Sequence, residues 1–265
     1  MLHVAVILPM YNEAGNVAAL LERLGAVREA ADLELVAIAV DDGSRDATHA
    51  RLTELAPRYP FLSITRHDRN RGMAAALRTG IAEGLARREP AVDVLAFMDA
   101  DLTHAPEDVP RLVAPIATDR ADFVLGSRYV PGGRMRGVPW ARRAISVVGN
   151  AAVRRVLGVP VGDLTSGFRA GRAEVFRAIR LQEQGFGIQL EGTVRAYRAG
   201  FRVAEVPITL GVRTNGYSKM AYTRSFWLAY GRLVANLWLN RRVIDLPART
   251  IYAEVENTQG RRTAV

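Results

Sequence analysis

The amino-acid sequence predicts an α/β fold in which a mostly parallel central sheet is covered by helices. Two observations support this prediction. Short apolar runs of strand length alternate along the chain with Ala-, Leu- and Arg-rich segments of helical period. The runs are apolar on both faces, which is typical of parallel strands buried between two layers of helices.

Five strands are predicted in the first half of the chain. They are rich in Val, Ile, Leu and Phe and comprise VAVIL at 4–8, LVAIAV at 35–40, FLSIT at 61–65, VLAFM at 94–98 and FVLGS at 123–127. The intervals have helical period, and we predict helices at 14–30, 46–56, 73–88 and 107–117. Because parallel neighbours need a crossover segment, this alternation favours parallel pairing.

The second half of the chain follows a different pattern. We predict loops or polar turns in PGGRMRGVP, GDLTSGFR and GVRTNGYSK. The regular elements between them are helices at 141–157, 188–199 and 221–240 and a strand at 202–209. The tail from Pro247 is polar, and we predict that it is disordered.

The composition is that of a globular protein. Of the 265 residues, 49% are hydrophobic and 24% are charged, so the chain can bury a sizeable core. The absence of Cys excludes disulfides and thiolate chemistry and fits a cytosolic location. The apolar N-terminal run lacks a basic region before it and is interpreted as a strand, not a signal peptide. No segment supplies the ~20 apolar residues of a membrane span.

Positive charge is concentrated in the middle of the chain. The formal net charge is +9, and no acidic residue lies between Asp122 and Asp163. The arginines in this interval are Arg128, Arg134, Arg136, Arg142, Arg143, Arg154 and Arg155. Such a block suggests a polyanionic partner, whether phosphate, anionic lipid or nucleic acid. The alternative is an ordinary solvated face in an Arg-rich protein.

Two carboxylates stand one residue apart in FMDADLTH, directly after a predicted strand. Asp99 and Asp101 repel each other unless a cation lies between them. Magnesium or manganese, held by one or two carboxylates and by substrate phosphates, would relieve this repulsion. It would also neutralise a departing diphosphate. The alternative is a pair of capping acids ahead of the helix that begins near Pro106.

A second acidic pair, Asp41 and Asp42, ends the second predicted strand. A carboxylate at this position can accept hydrogen bonds from a base or a ribose. The alternative, helix capping, suits Ser44 or Asp46 better than both members of the pair. A GxGxxG motif is absent after the first strand, which argues against a dinucleotide cofactor, and a GxxxxGK[ST] loop is absent too.

Several segments, in order, resemble the family 2 glycosyltransferases and, more narrowly, the polyprenol-phosphate mannose synthases. The resemblance covers about residues 3–220. The segments are VILPMYNE, VDDGSRD, NRGMAAALRTGI, FMDADLTHAPEDVPRLV, ADFVLGSRYVPGG, GDLTSGFRA and GFGIQLEGTVRAYRAGFRVAEVPITLGVRTNGYSKM. It implies the GT-A nucleotide-diphospho-sugar transferase fold, which agrees with the predicted sheet.

The resemblance also implies roles for individual residues. The donor nucleotide sugar would lie against Pro9, Tyr11, Glu13, Val40, Asp42, Met73, Asp99, Ala100 and Asp101. The metal would be held by Asp99 and Asp101, and Thr103 stands where the family often supplies a Gln or Ser ligand. The basic residues facing the phosphates would be Arg128, Arg142 and Lys219, which with Asp101 form the implied catalytic set.

The function implied is inverting transfer of mannose from GDP-mannose to a polyprenyl monophosphate, with magnesium or manganese as cofactor. The alternative within the class is transfer of glucose or N-acetylglucosamine from a UDP donor. A nucleic-acid-binding module would not need polar clusters after four strands, and we expect no nucleic-acid partner. A sugar-nucleotide pyrophosphorylase would carry a Gly-rich phosphate loop where PMYNEAGN stands.

The C-terminal amphipathic helix is predicted to contact a membrane. Its apolar residues at helical spacing are Phe226, Tyr230, Val234, Leu237 and Trp238. An interfacial helix with Trp and Arg anchors suits this pattern, and a helix packed on the catalytic domain is the alternative. We therefore predict a catalytic domain at 1–220, an interfacial helix at 221–245 and a tail at 246–265. The expected location is peripheral, on the cytoplasmic face of the membrane, with a separate membrane protein as a possible partner.

Overall fold

A computed structural model describes residues 1–213 and 223–240, apart from the side chains of Ala141, Arg142 and Ser225. The strands, in chain order, are β1 (Leu2–Met10), β2 (Leu33–Asp41), β3 (Leu62–Arg66), β4 (Val94–Phe97), β5 (Phe123–Ser127), β6 (Arg134–Met135), β7 (Arg169–Arg172), β8 (Val203–Pro207) and β9 (Thr209–Leu210). The predicted tail and Lys219 lie outside the described residues.

A seven-stranded sheet forms the centre of the molecule, in the order β3-β2-β1-β4-β7-β5-β8. The pairs β1–β2, β2–β3, β1–β4 and β5–β8 are parallel, which confirms the predicted mostly parallel sheet. Strand β7 runs antiparallel to both β4 and β5. The sequence did not predict β7, nor the small parallel pair of β6 and β9.

Eight helices lie within the described residues. They are α1 (Val17–Ala30), α2 (Thr48–Leu55), α3 (Met73–Ala86), α4 (Val109–Ala117), α5 (Trp140–Leu157), α6 (Ala173–Ala178), α7 (Ile188–Arg198) and α8 (Arg224–Leu239). All of them except α6 were predicted, with ends that differ by at most three residues. The largest shifts are at the starts of α1 and α8, and a short 3-10 helix, Pro106–Asp108, precedes α4.

The core has two apolar layers, one on each face of the sheet. Alternate residues of β1 divide between them, because successive side chains of a strand point to opposite faces. Val6 and Leu8 pack in the layer with α1 and α4, whereas Ile7 packs in the layer with α3. Gly80 of α3 lies so close to Ile7 that a methyl group there would overlap Cγ2 of Ile7. The sheet is thus packed on both faces beneath its carboxyl edge.

Helix α8 lies against the α/β domain. Leu233 and Leu237 are buried in the core layer that contains α3, and Tyr230 and Val234 pack against that layer. Of the apolar residues predicted to face a membrane, Trp238 is the one with a largely exposed side chain. This arrangement corresponds to the predicted alternative, a helix packed on the domain. Within residues 1–213 and 223–240, no helix combines the length and apolar character that crossing a bilayer requires.

Candidate active site

A cavity of about 710 Å³ opens at the edge where β1, β2, β4 and β5 end. Most of the predicted site residues line it, namely Pro9, Tyr11, Glu13, Asp42, Met73, Asp99, Ala100, Asp101, Thr103 and Arg128. Val40 does not, because its side chain is fully buried in the core beneath β2. Arg142 lies in the first turn of α5, but its side chain is outside the described part of the structure.

The turn after β1 is fastened to the turn after β2 by hydrogen bonds. The backbone N–H of Asn12 donates to Oγ of Ser44 at 3.0 Å, and that of Glu13 donates to Oγ1 of Thr48 at 2.8 Å. Asn12 has a φ of 53°, in the left-handed region that Asn tolerates better than most residues. These contacts hold the Glu13 carboxylate, which is almost fully buried, at the floor of the cavity.

Asp42 organises the loop that follows β3. Its Oδ1 accepts hydrogen bonds from Nδ1 of His67 at 2.7 Å and from the backbone N–H of Arg71 at 2.9 Å. Its Oδ2 accepts from the N–H of Gly72 at 2.8 Å, and Nε2 of His67 is 2.9 Å from Oγ1 of Thr79. A carboxylate offers about four acceptor positions, so Asp42 retains room for one ligand donor.

Asp101 is held from both sides. Its Oδ1 accepts from the backbone N–H of Thr103 at 3.0 Å and from the Thr103 hydroxyl at 2.6 Å. Its Oδ2 lies 2.5 Å from Nη2 of Arg213, whose Nη1 is 3.6 Å from Oε1 of Glu13. Leu102 between the two residues has a φ of 62°, so this turn stores backbone strain. The Thr103 hydroxyl is therefore already engaged in a hydrogen bond to Asp101.

Asp99 faces the cavity with a side chain that is 36% exposed. A titratable neighbour on the same turn is His104, whose Nδ1 is 3.9 Å from Oδ2. Burial lowers the pKa of His104, which stacks on Phe168, so the ring stays neutral and supplies no counter-charge at neutral pH. The pKa of Asp99 is raised, chiefly by poorly hydrated surroundings and further by the neighbouring Asp101 carboxylate.

These two acids fit a divalent cation. Asp99 and Asp101 face one cavity from one turn, and the raised pKa of Asp99 marks a place where positive charge stabilises the ionised form. Among the described residues, no three His, Asp or Glu side chains converge as a complete metal site. Magnesium and manganese accept such incomplete protein shells, because substrate phosphates and water complete them.

Arg128 is fixed by a buried acid that the sequence did not single out. Its Nε and Nη2 donate to Oδ2 and Oδ1 of Asp163 at 2.7 and 2.6 Å. The Asp163 side chain is fully buried, and its own backbone N–H donates to Glu205 of β8 at 3.0 Å. A two-pronged ion pair of this kind sets the plane of a guanidinium as well as its position. Arg128 thus lines the cavity in one defined orientation.

Sequence reasoning also missed Arg213 as a site residue. The loop GVRTNGYSK was recognised, but Lys219 was chosen from it, and Lys219 lies outside the described residues. The sequence signal that could have identified Arg213 is a second basic residue, besides Lys219, in a loop that follows two strands. The acidic partners of Arg213, Glu13 and Asp101, lie far away along the chain and cannot be identified from local pattern.

The mostly parallel α/β sheet, with a cavity at its carboxyl edge, agrees with a fold of the GT-A class. The sequence profile of Glycosyl transferase family 2 matches residues 5–180, and the chain belongs to that family.

Proteins similar in sequence narrow the group. The chain is 41% identical over 220 residues to the polyprenol monophosphomannose synthase of Mycolicibacterium smegmatis, an alignment that covers 82% of this chain and 80% of that one. It is 40% identical to the undecaprenyl-phosphate mannosyltransferase of Micrococcus luteus, over 83% and 88% of the two chains. It is 35% identical to the dolichol-phosphate mannosyltransferase of Pyrococcus furiosus, over 82% of this chain and 59% of that longer one.

Solved structures support the fold. Glucosyl-3-phosphoglycerate synthase from Mycobacterium tuberculosis, in complex with Mn²⁺, UDP and glucosyl-3-phosphoglycerate, superposes with a TM-score of 0.62 at 23% identity, covering 90% of this chain and 79% of that one. Its complex with Mn²⁺, UDP-glucose and glycerol 3-phosphate gives the same TM-score at 22% identity, over the same 90% and 79%. At this identity the likeness concerns the fold, and it confirms the predicted GT-A class.

Proposed function

We propose that the protein transfers mannose from a nucleotide sugar, GDP-mannose, to a polyprenyl monophosphate and inverts the anomeric centre. The observation that carries this proposal is the 41% identity to a polyprenol monophosphomannose synthase, which extends over 82% of the chain. It is supported by the cavity, where the residues expected to hold a nucleotide sugar lie side by side. A UDP sugar remains the alternative donor.

The donor's base and ribose are assigned to the side of the cavity formed by Asp42 and Met73. Its diphosphate is assigned to the side formed by Asp99 and Asp101. A magnesium or manganese ion held by these two acids would stabilise the negative charge that develops on the leaving nucleotide. The role of Asp42 includes shaping the loop around it, since three of its acceptor positions are already used.

The acceptor phosphate needs positioning more than it needs a base. A phosphate monoester has a second pKa near ~6, so its oxygen is already a nucleophile at neutral pH. Arg128, held by Asp163, presents its guanidinium at the cavity wall in a fixed plane. Arg142 and Lys219 are proposed as further phosphate ligands. Cationic groups at this wall would let two anions approach each other for in-line attack.

Helix α5 exposes an apolar stripe. Its contacts with the protein are made by a narrow set of residues that are buried or half-buried, namely Ser146, Asn150, Val153 and Leu157. On a different side the helix exposes Ile145, Val148, Ala152 and Val156, again at helical spacing. A surface helix ordinarily presents polar residues to water, so an exposed apolar stripe indicates a binding surface.

Basic and aromatic residues flank this stripe. Trp140 is 83% exposed at the start of α5, and Arg143, Arg154 and Arg155 are exposed along it. Helix α8, which contacts α5, adds exposed Trp227, Leu228, Trp238 and Leu239. We call these exposed residues of α5 and α8 the lipid surface. The combination of apolar side chains with Trp and Arg is typical of helices that lie in a bilayer interface.

The lipid surface would bring the cavity to a membrane-embedded acceptor. Arg136 and Val138, shortly before α5, line the cavity, so the helix leads away from its mouth. A peripheral position on the cytoplasmic face would give the enzyme access both to nucleotide sugar and to lipid phosphate. Anionic lipids would strengthen the contact through the exposed arginines.

Mannosyl transfer is tested with purified protein, a short polyprenyl phosphate in detergent, and radiolabelled GDP-mannose, UDP-glucose and UDP-N-acetylglucosamine. We expect a labelled lipid product from GDP-mannose with manganese or magnesium, and none after chelation with EDTA. Product formed only from a UDP sugar would replace the proposal with its alternative. Product formed equally well in EDTA would refute the role assigned to Asp99 and Asp101.

The lipid surface is tested by sedimentation with vesicles that contain 30% anionic lipid. Replacing Val148 and Val156 with Asn should reduce vesicle binding about ten-fold. The matched control is Tyr197→Gln, which removes another exposed large side chain, on α7, and should leave binding unchanged. Equal losses in both variants would show that α5 has no special part in lipid binding.

A further inference from the structure

Arg213 occupies the centre of the acidic group in the cavity. Its guanidinium contacts Asp101 at 2.5 Å and approaches Glu13 at 3.6 Å, and its side chain is 22% exposed. Both acids are nearly buried, with side chains 7% exposed. Charged groups in such surroundings are held in place by strong, weakly screened attraction. Arg213 is therefore the counter-ion of Asp101 and Glu13.

The same contact competes with a metal ion. Oδ1 of Asp101 is engaged by the N–H and the hydroxyl of Thr103, so Oδ2 is the oxygen better placed to take a cation. Arg213 lies against that oxygen. A magnesium ion binds at ~2.0–2.1 Å from its ligands, which would bring two positive centres close together on one oxygen. Because the two cations repel each other, Oδ2 of Asp101 contacts either the metal ion or Arg213, but not both.

A diphosphate offers Arg213 another partner. Arg213 lines the same cavity as Asp99 and Asp101, where the donor diphosphate is proposed to lie. Guanidinium groups bind phosphate oxygens through two parallel hydrogen bonds, at least as well as they bind a carboxylate. When a metal–nucleotide complex binds, Asp101 can therefore ligate the metal while Arg213 moves to the phosphates in the same step. A metal ion alone would have to displace Arg213 without offering it anything.

We propose that Arg213 is a positioning residue that exchanges Asp101 for the donor diphosphate, so that the cation binds together with the nucleotide and not before it. This inference rests on the donor site of the proposed function, and it concerns the order of binding at that site. Arg213 neutralises Asp101 until the diphosphate arrives and afterwards holds the diphosphate against the metal.

The exchange predicts strong coupling between metal and nucleotide. If the nucleotide releases Asp101 from Arg213, it must raise the affinity for the metal, and the metal must raise the affinity for the nucleotide by the same factor. Such coupling factors typically lie between about 5 and 150. Removing Arg213 should act in opposite directions on the two ligands. It should favour the metal alone, because a competitor is lost, and weaken the nucleotide, because a phosphate ligand is lost.

The experiment measures manganese binding to the full chain by electron paramagnetic resonance, with and without GDP, and repeats it with UDP. In Arg213→Gln we expect about ten-fold tighter binding of manganese alone, about ten-fold weaker binding of GDP in saturating manganese, and a smaller coupling factor. Arg213→Lys keeps the charge, so its affinities for manganese and GDP should lie between those of the wild type and those of Arg213→Gln. Thermal unfolding of each variant reports whether it is folded.

Arg136→Gln is the matched control. It removes the same charge from the lining of the same cavity but no ion pair with Asp101, and it should change the affinity for manganese alone less than three-fold. The proposal is overturned if Arg213→Gln weakens both ligands, if it changes neither, or if the wild type binds manganese equally well with and without a nucleoside diphosphate. These binding measurements need no mannosyl transfer, so a failure of the proposed reaction would be seen separately.

Discussion

At the scale of single residues, the site depends on a few acids whose surroundings differ. Asp101 is engaged by Thr103 and Arg213, whereas Asp99 is left with a neutral histidine and a raised pKa. Asp163 is not among the residues that line the cavity, but it fixes Arg128, which is. Each acid thus has a different task, although all are the same kind of group.

Asp101→Asn should lower kcat for mannosyl transfer at least ~100-fold, because an amide is a poor ligand for a hard cation and leaves Arg213 without its carboxylate partner. The protein should remain folded, since the amide fills the same space. Initial rates at saturating donor and a thermal melt check both points. Glu107→Gln, which removes an exposed acid paired with Arg23, is the control and should keep full activity. Near-normal turnover of Asp101→Asn would contradict the assignment.

Asp122 supplies a pH-dependent contribution to stability at the opposite edge of the sheet. Hydrogen bonds from Arg202 lower its pKa from 3.8 to about 2, against the opposing effect of partial burial. The stabilisation is therefore complete above pH ~4 and is lost as the pH falls through about 2. Asp122→Asn should lower the free energy of unfolding by about 1 kcal/mol at pH 7, since Arg202 is half exposed. The difference from wild type should stay constant down to pH ~5 and shrink below pH ~4 in urea titrations.

At the scale of helices and strands, stability depends on how closely a helix can approach the sheet as well as on its apolar pattern. Gly80→Ala should destabilise the protein by about 1–3 kcal/mol, because the added methyl group overlaps Ile7 where α3 packs on β1. Gly231→Ala on α8 is the matched variant, because no described atom beyond its own stretch of helix lies within 4 Å of the added carbon. It should stabilise by about 0.5–1 kcal/mol through helix propensity. Urea unfolding measures the free energy of unfolding of both variants. Equal changes in the two would contradict the close contact between Gly80 and Ile7.

The elements that could be predicted from sequence are those with a local signature. Strands β1, β2, β4 and β5 are mostly buried, so each contains a continuous apolar run, whereas β3 is only half-buried. Strand β7 is short, contains Gly171 and begins with Arg169, whose guanidinium is buried and donates to the backbone carbonyls of Ser166 and Gln189. Nothing in its sequence indicates a strand, because distant parts of the chain supply its partners.

The candidate site was predictable to a similar extent. Acids that follow a buried strand could be placed at the sheet edge from the chain alone. The pairs Arg128–Asp163 and Arg213–Asp101 could not, since each joins segments that only the folded chain brings together. For α8 the sequence showed an apolar pattern but not which side meets the domain, because that choice depends on the neighbouring core.

At the scale of the whole molecule, two adjacent residues of α8 allow folding to be tested separately from the proposed lipid binding. Leu237 is 4% exposed and Trp238 is 43% exposed. Leu237→Ala should cost about 2–5 kcal/mol of unfolding free energy through loss of core contacts. Trp238→Ala should leave stability nearly unchanged and weaken sedimentation with anionic vesicles several-fold. If Trp238→Ala bound vesicles like wild type, α8 would be a structural helix alone.

The reversed strand β7 has a topological consequence. A parallel strand contributes to the catalytic edge only the loop that leaves it, whereas β7 contributes the turn by which the chain enters it. Thr165, Ser166 and Gly167 reach the cavity in this way, and Gly167 comes close enough to Asp99 that even one added carbon would touch its carboxylate. In sheets of this kind, the beginnings of antiparallel strands therefore deserve the same search for ligand contacts as the ends of parallel ones.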